Sequence, residues 1–172
     1  VIGIGNVLMG DDAFGPYMIQ LLDARYCFPQ SVALLDLGTP SLDLVAHIRG
    51  MDALIILDAV RAEGQPGELR IYRRDELLKQ PLQPRTDAHE PGLKEALLIA
   101  EFDGSGPLEA CLIGVIPADT STGVGLSSPV QRVLPEATEA VVRELEALGV
   151  IALQRSPVRT PQVWWEETPQ LC

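Results

Sequence analysis

Five side chains in this sequence have the chemistry to act on a substrate: the carboxylates of Asp11, Asp12, Asp36 and Asp58, and the imidazole of His89. Each aspartate closes or follows a short apolar run: Asp11 and Asp12 come after residues 1–5, Asp36 after residues 32–35 and Asp58 after residues 54–57. Taken singly, each has an ordinary reading. Asp12 suits the start of a helix, where a carboxylate accepts backbone N–H bonds and meets the positive end of the helix dipole. Asp36 and Asp58 suit turns, with their carboxylates bonded to nearby backbone. His89, in the loop at residues 87–92, suits a solvated side chain. Taken together, carboxylates at three successive strand ends repel one another unless something positive binds among them. An imidazole with two carboxylates makes an open site for a divalent transition metal, with positions left for another group. His47 has no such company and reads as structural or exposed.

Strands and helices in alternation must position these groups. Residues 1–5 are apolar and β-branched, residues 10–13 form a turn, and Phe14, Tyr17, Met18, Leu21 and Leu22 then recur at helical spacing. A second strand at 32–35 leads through Gly38-Thr39-Pro40 to a weak helix in which Leu42, Val45, Ala46 and Ile48 share a face. A third strand covers 54–57, and the charged-apolar alternation of 68–73 suits an edge strand. Glu95 to Glu101 reads as a helix opened by Pro91 and broken at Gly104-Ser105-Gly106. Residues 112–116 form the last strong strand. The clearest helix starts at Ser128-Pro129, carries Val130, Val133, Leu134, Ala137, Val141, Leu145 and Leu148 on one face, and stops at Gly149. From Pro157 onward there is no periodicity, which reads as a loosely packed or disordered tail. The expected fold is one α/β domain over residues 1–153 followed by a Pro/Trp-containing tail at 154–172. The domain is a three-layer α/β/α sandwich with a mostly parallel twisted sheet of about five strands and one antiparallel edge strand. In such sheets, sites form beyond the carboxyl ends of the strands, where the aspartates stand.

Composition removes other classes. With 13 basic and 24 acidic side chains the formal net charge is 13 − 24 = −11, so no cationic face is expected for nucleic acid. A domain of 172 residues buries roughly 70% of its unfolded surface and needs no metal or disulfide to fold. Cys27, Cys111 and Cys172 form no CxxC pair, which fits a reducing cytoplasm. Cys111 reads as a small buried strand residue and Cys27 as a helix-end residue. No apolar run of about 18 residues exists to span a bilayer, and no export or anchoring signal is evident. The chain opens on Val1 rather than Met, directly in a strand, so a few residues of that strand are expected to be missing. Gly3, Gly5 and Gly10 invite a dinucleotide-binding reading. Against it, the third glycine is displaced from the GxGxxG position, and Asp11 and Asp12 occupy the turn where a pyrophosphate would need N–H donors.

The segment Gly3-Ile4-Gly5-Asn6-Val7-Leu8-Met9-Gly10-Asp11-Asp12-Ala13-Phe14-Gly15 resembles the opening signature of the nickel-iron hydrogenase maturation endopeptidases. Asp36-Leu37-Gly38-Thr39 resembles that family's D-G-G-T segment, Leu57-Asp58-Ala59 its third-strand aspartate, and Pro66-Gly67 its turn before the edge strand. His89-Glu90-Pro91-Gly92-Leu93 resembles its H-x-x-G-L motif, and Gly114-Val115-Ile116-Pro117 its last-strand segment. The similarity runs in order from Gly3 to Gly149. Leu37 stands where the family usually has glycine, and Pro40-Ser41 replaces a small-glycine pair, so the departures fall in the substrate groove.

This resemblance implies a protease that removes a C-terminal extension from the hydrogenase large-subunit precursor after nickel insertion. It implies that nickel, supplied by the substrate, is read by Asp12, Asp58 and His89, with no permanently bound cofactor. Asp36 is the candidate for orienting substrate or water, and Gly38 and Thr39 for binding substrate. A monomer in the cytoplasm, without nucleic-acid or membrane partners, is expected. The same ligands could instead serve a nickel-checking chaperone that escorts the large subunit without cutting it.

Overall fold

The computed structural model describes residues 1–40, 43–79 and 92–166. In chain order its strands are β1 (Ile2–Gly3), β2 (Tyr26–Cys27), β3 (Leu35–Asp36), β4 (Ala53–Ala59), β5 (Leu69–Arg73), β6 (Glu109–Val115) and β7 (Leu153–Gln154). Its α-helices are α1 (Phe14–Arg25), α2 (Leu44–Ile48), α3 (Arg74–Lys79), α4 (Leu93–Phe102) and α5 (Ser128–Ala147). Five strands form one sheet in the order β3-β1-β4-β6-β5. All neighbours are parallel except β5, which runs antiparallel to β6 at the edge. The three-layer sandwich expected from the sequence is therefore the observed fold.

Parallel strands need helical crossovers, which bury both sheet faces. The alternation along β4 shows this: Ile55 and Leu57 enter one core with Phe14, Met18 and Leu22 of α1 and Val130 and Val141 of α5. Leu54 and Ile56 enter the other with Leu44 and Ile48 of α2, Leu77 of α3 and Leu97 of α4. Burying each such side chain contributes about 1.5–3 kcal/mol.

The glycines at the start of the chain set how near α1 comes to the sheet. A Cβ on Gly15 would lie 2.3 Å from the carbonyl oxygens of both Ile4 and Leu57. One on Gly5, whose φ is 140°, would lie 1.7 Å from the Asp12 carbonyl oxygen. These glycines let backbone pack on backbone, and the turn at Gly5 ends β1 sooner than the apolar run suggests.

Other elements depart from the sequence reading. The helix α3 is mostly polar, with Leu77 its buried residue, so it lacks the apolar face that announces a helix. Cys27 lies exposed in β2, past the end of α1, and pairs antiparallel with Leu153 of β7. The stretch beyond β7, expected to be loosely packed, is docked as far as it is described. The amide of Arg155 donates to the Arg25 carbonyl at 2.7 Å and that of Arg159 to the Ala24 carbonyl at 3.0 Å. It ends in a 3-10 turn (Trp164–Glu166) with Trp165 buried. Backbone bonds to the end of a helix leave no periodic trace in sequence. Among the described residues, no helix is long and apolar enough to cross a membrane.

Candidate active site

The carboxyl ends of β3, β1 and β4 lie side by side, and each delivers an aspartate. Gly3 of β1 is level with Asp36 of β3 on one side and with Leu57 of β4 on the other. Asp36 and Leu57 are thus two strand spacings, about 10 Å, apart. The connections past the strand ends continue the contact: the Ile4 amide donates to the Leu57 carbonyl at 2.9 Å, and the Gly5 amide to the Gly38 carbonyl at 2.8 Å.

Asp12 lies in a 3-10 turn (Gly10–Ala13) that leads into α1 and packs against β4. Its half-buried carboxylate accepts the Asn6 amide on Oδ2 at 2.7 Å. It makes no side-chain cap to α1. Asp58 is half-buried on β4, level with Gly114 of β6. By the alternation of the strand it follows Leu54 and Ile56 onto the face covered by α2 and α4.

Asp36 goes the other way. Leu35 and Leu37 pack toward the core under α2 and α4, so Asp36 between them points to the α1 face, as Leu57, level with it across Gly3, does. Asp36 is exposed, and its Oδ1 accepts the Gly38 amide at 3.0 Å in a local turn. Gly38 takes a φ of 56°, and Thr39 beside it is exposed. Asp36 and Asp58 therefore share the rim but not a sheet face.

Asp11 was grouped with these carboxylates in the sequence, yet it is fully buried and turned inward. It accepts the amides of Ala118 at 2.7 Å and Asp119 at 3.1 Å, and both the amide and the hydroxyl of Ser127, at 2.6 and 2.8 Å. Those donors sit in the segment 117–127 between β6 and α5. The sequence carries no local signal of this role, because every donor lies more than 100 residues away.

His89 lies outside the described residues; in sequence it stands four positions ahead of α4. Among the described residues no group of three or more His, Cys, Asp or Glu side chains could hold a metal ion. His47 is exposed on α2, away from the strand ends. Cys111 is buried in β6, and burial pushes its thiol up to about 11, which leaves no thiolate nucleophile at neutral pH. Two open clefts flank the rim without including Asp12, Asp36 or Asp58. One of about 520 Å³ is lined by Pro66, Arg70, Pro129 and Arg132, and one of about 470 Å³ by Gly10, Asp119, Val124, Gln131 and Glu166. The Ser121 amide, donating to Asp119 at 2.8 Å, holds that carboxyl below the usual carboxylate range.

The family model for hydrogenase maturation protease matches residues 16–144, which include the positions of Asp36, Asp58 and His89. The chain belongs to the hydrogenase maturation proteases. Over 159 residues this maturation protease is 34% identical to the Hydrogenase 2 maturation protease of Escherichia coli K12, covering 92% of this chain and 96% of that one. It is 38% identical over 156 residues to the hydrogenase expression/formation protein HoxM of Azotobacter vinelandii, covering 90% of this chain and 75% of that one. Among solved structures it resembles the hydrogenase maturating endopeptidase HybD from E. coli at a TM-score of 0.84 and 34% identity, covering 91% and 96% of the two chains. It also resembles a [NiFe] hydrogenase maturation protease, HycI, from Thermococcus kodakarensis at 0.67 and 26%, covering 84% and 90%. The maturation protease is thus a peptide-bond hydrolase, and its rim must be read as that of an endopeptidase.

Proposed function

We propose that this maturation protease removes a C-terminal extension from the large-subunit precursor of a nickel-iron hydrogenase after nickel has been inserted. The observation that carries this reading is the turn bearing Asp12, packed against the strand that bears Asp58. In this reading the nickel arrives with the substrate and docks on Asp12, Asp58 and His89, so that a precursor without metal is not held in register. Binding energy spent on the metal fixes the scissile peptide, which is how positioning becomes rate. The substrate's metal polarises the scissile carbonyl or lowers the pKa of its water. Asp36 orients the substrate chain from the α1 side of the rim, with Gly38 and Thr39 beside it, and no acyl-enzyme forms. The protease keeps no resident cofactor and acts as a cytoplasmic monomer.

The test is to incubate nickel-loaded and nickel-free precursor with the purified protease and to weigh the precursor by mass spectrometry. Loss of a C-terminal peptide from the nickel-loaded form alone is expected. An unchanged mass in a stable complex would instead make the protein an escorting chaperone. Asp58→Ala and His89→Ala should each abolish the cleavage while the circular dichroism spectrum stays native. Normal cleavage by either variant would overturn the docking assignment.

A further inference from the structure

Of the adjacent pair of acids, the proposed nickel docking uses Asp12, while Asp11 holds the more elaborate site. Its buried carboxylate gathers four hydrogen bonds from donors 107 to 116 residues away in sequence. Bonds to an ionised acceptor are about twice as strong as neutral ones, and here they converge on a segment outside the sheet and helices. Residues 118–124 are exposed, and Leu126 is the nearest core residue beyond them. Ser127, placed to cap α5, gives its hydroxyl to Asp11 instead.

The dependence also runs in reverse. The turn that carries Asp12 has no side-chain cap, and backbone bonds hold it to that same segment. The Gly10 amide donates to the Gly123 carbonyl and the Asp11 amide to the Asp119 carbonyl, both at 2.9 Å. The Gly123 amide returns a bond to the Leu8 carbonyl at 2.9 Å. Segment 117–127 is therefore the template on which the Asp12 turn is shaped, and the Asp11 carboxylate fastens that template.

We propose that Asp11 is a positioning residue for the rim: by clamping segment 117–127 and the start of α5, it fixes the direction in which Asp12 presents its carboxylate. This rests on the reading of Asp12 as a nickel contact. A purely structural carboxylate would steady segment 117–127 and leave Asp12 where it is.

Asn6 separates the two, because its amide bonds to Asp12 and not to Asp11. Asp11→Asn keeps the shape but sets an NH2 group against donors. In this variant the Asn6 amide should exchange hydrogen about tenfold faster, with the core amides of β4 and β6 unchanged. Cleavage of nickel-loaded precursor should fall by about tenfold in kcat/KM at a temperature where the variant is folded. Ser127→Ala removes one of the four bonds and should move the Asn6 amide in the same direction by about threefold. If Asp11→Asn does not fold, Ser127→Ala decides alone. Faster exchange confined to Ala118 and Asp119, with Asn6 unchanged in the folded variants, overturns the proposal. Failure of the nickel reading shows separately, as wild-type cleavage of nickel-loaded and nickel-free precursor at the same rate.

Discussion

The two sides of the rim are built by opposite means. On the β1 side, the loop and turn bearing Asp12 are tied to segment 117–127 by bonds that cross more than 100 residues of sequence. Glycines press the turn onto the sheet, and the acids are buried or half-buried. On the β3 side, Asp36 is exposed and its carboxylate bonds two residues along. Its loop is tied to β1 by backbone alone, through the Leu37 amide on the Gly3 carbonyl and the Gly5 amide on the Gly38 carbonyl. A metal contact needs directions fixed before the ligand arrives, because geometry carries its selectivity. A groove for an incoming polypeptide must instead admit many side chains. Under the proposed reading, the first task falls to the β1 side and the second to the β3 side.

Breaking the tied side should have the larger effect. Gly5→Ala puts a Cβ onto the Asp12 carbonyl at a backbone angle that L-residues avoid, and should cost about 3 kcal/mol or more in urea unfolding. A variant as stable as the parent would show that this side is not held as described. On the open side, Asp36→Ala loses one exposed local bond and should stay within about 0.5 kcal/mol in the same measurement. If Asp36 orients the chain to be cut, its cleavage rate nonetheless falls about tenfold. A large loss of stability with normal cleavage would reverse the assignment of the two sides.

The smallest effect at neutral pH belongs to the core beneath both. The Cys111 thiol ionises at about 11 in the folded protein against 9.0 ordinarily, so between those values the unfolded chain binds fewer protons. Stability should be unaffected below pH 9 and fall as pH rises from 9 toward 11. Cys111→Ser should lessen that alkaline loss; an unchanged profile would mean that another group controls it.

The elements with a strong period were legible in the sequence. The apolar stripe of α5 from Val130 to Leu145, and the doubly buried run of β4, allowed one assignment each, and with the antiparallel edge at β5 they fixed the sandwich. Elements without a buried face of their own were not legible: α3 carries one buried leucine, and β2 and β7 have two residues each. The rim positions of the aspartates could be read because strand ends can be read. The direction of each side chain could not, since pleating sends Asp36 and Asp58 to opposite faces and depends on register. Asp11 escaped for a further reason: its partners lie far along the chain, and residues 118–124 give no sign of needing a buried acceptor.

The docked segment beyond β7 carries both tryptophans of the chain, Trp165 buried and Trp164 largely exposed in the same turn, their rings edge-on 5.7 Å apart between centroids. Intrinsic indole emission therefore originates entirely outside the sheet and its two cores. Release of this one segment would redden the fluorescence with little change in the far-ultraviolet signal, giving the enzyme a label-free gauge of this docked turn.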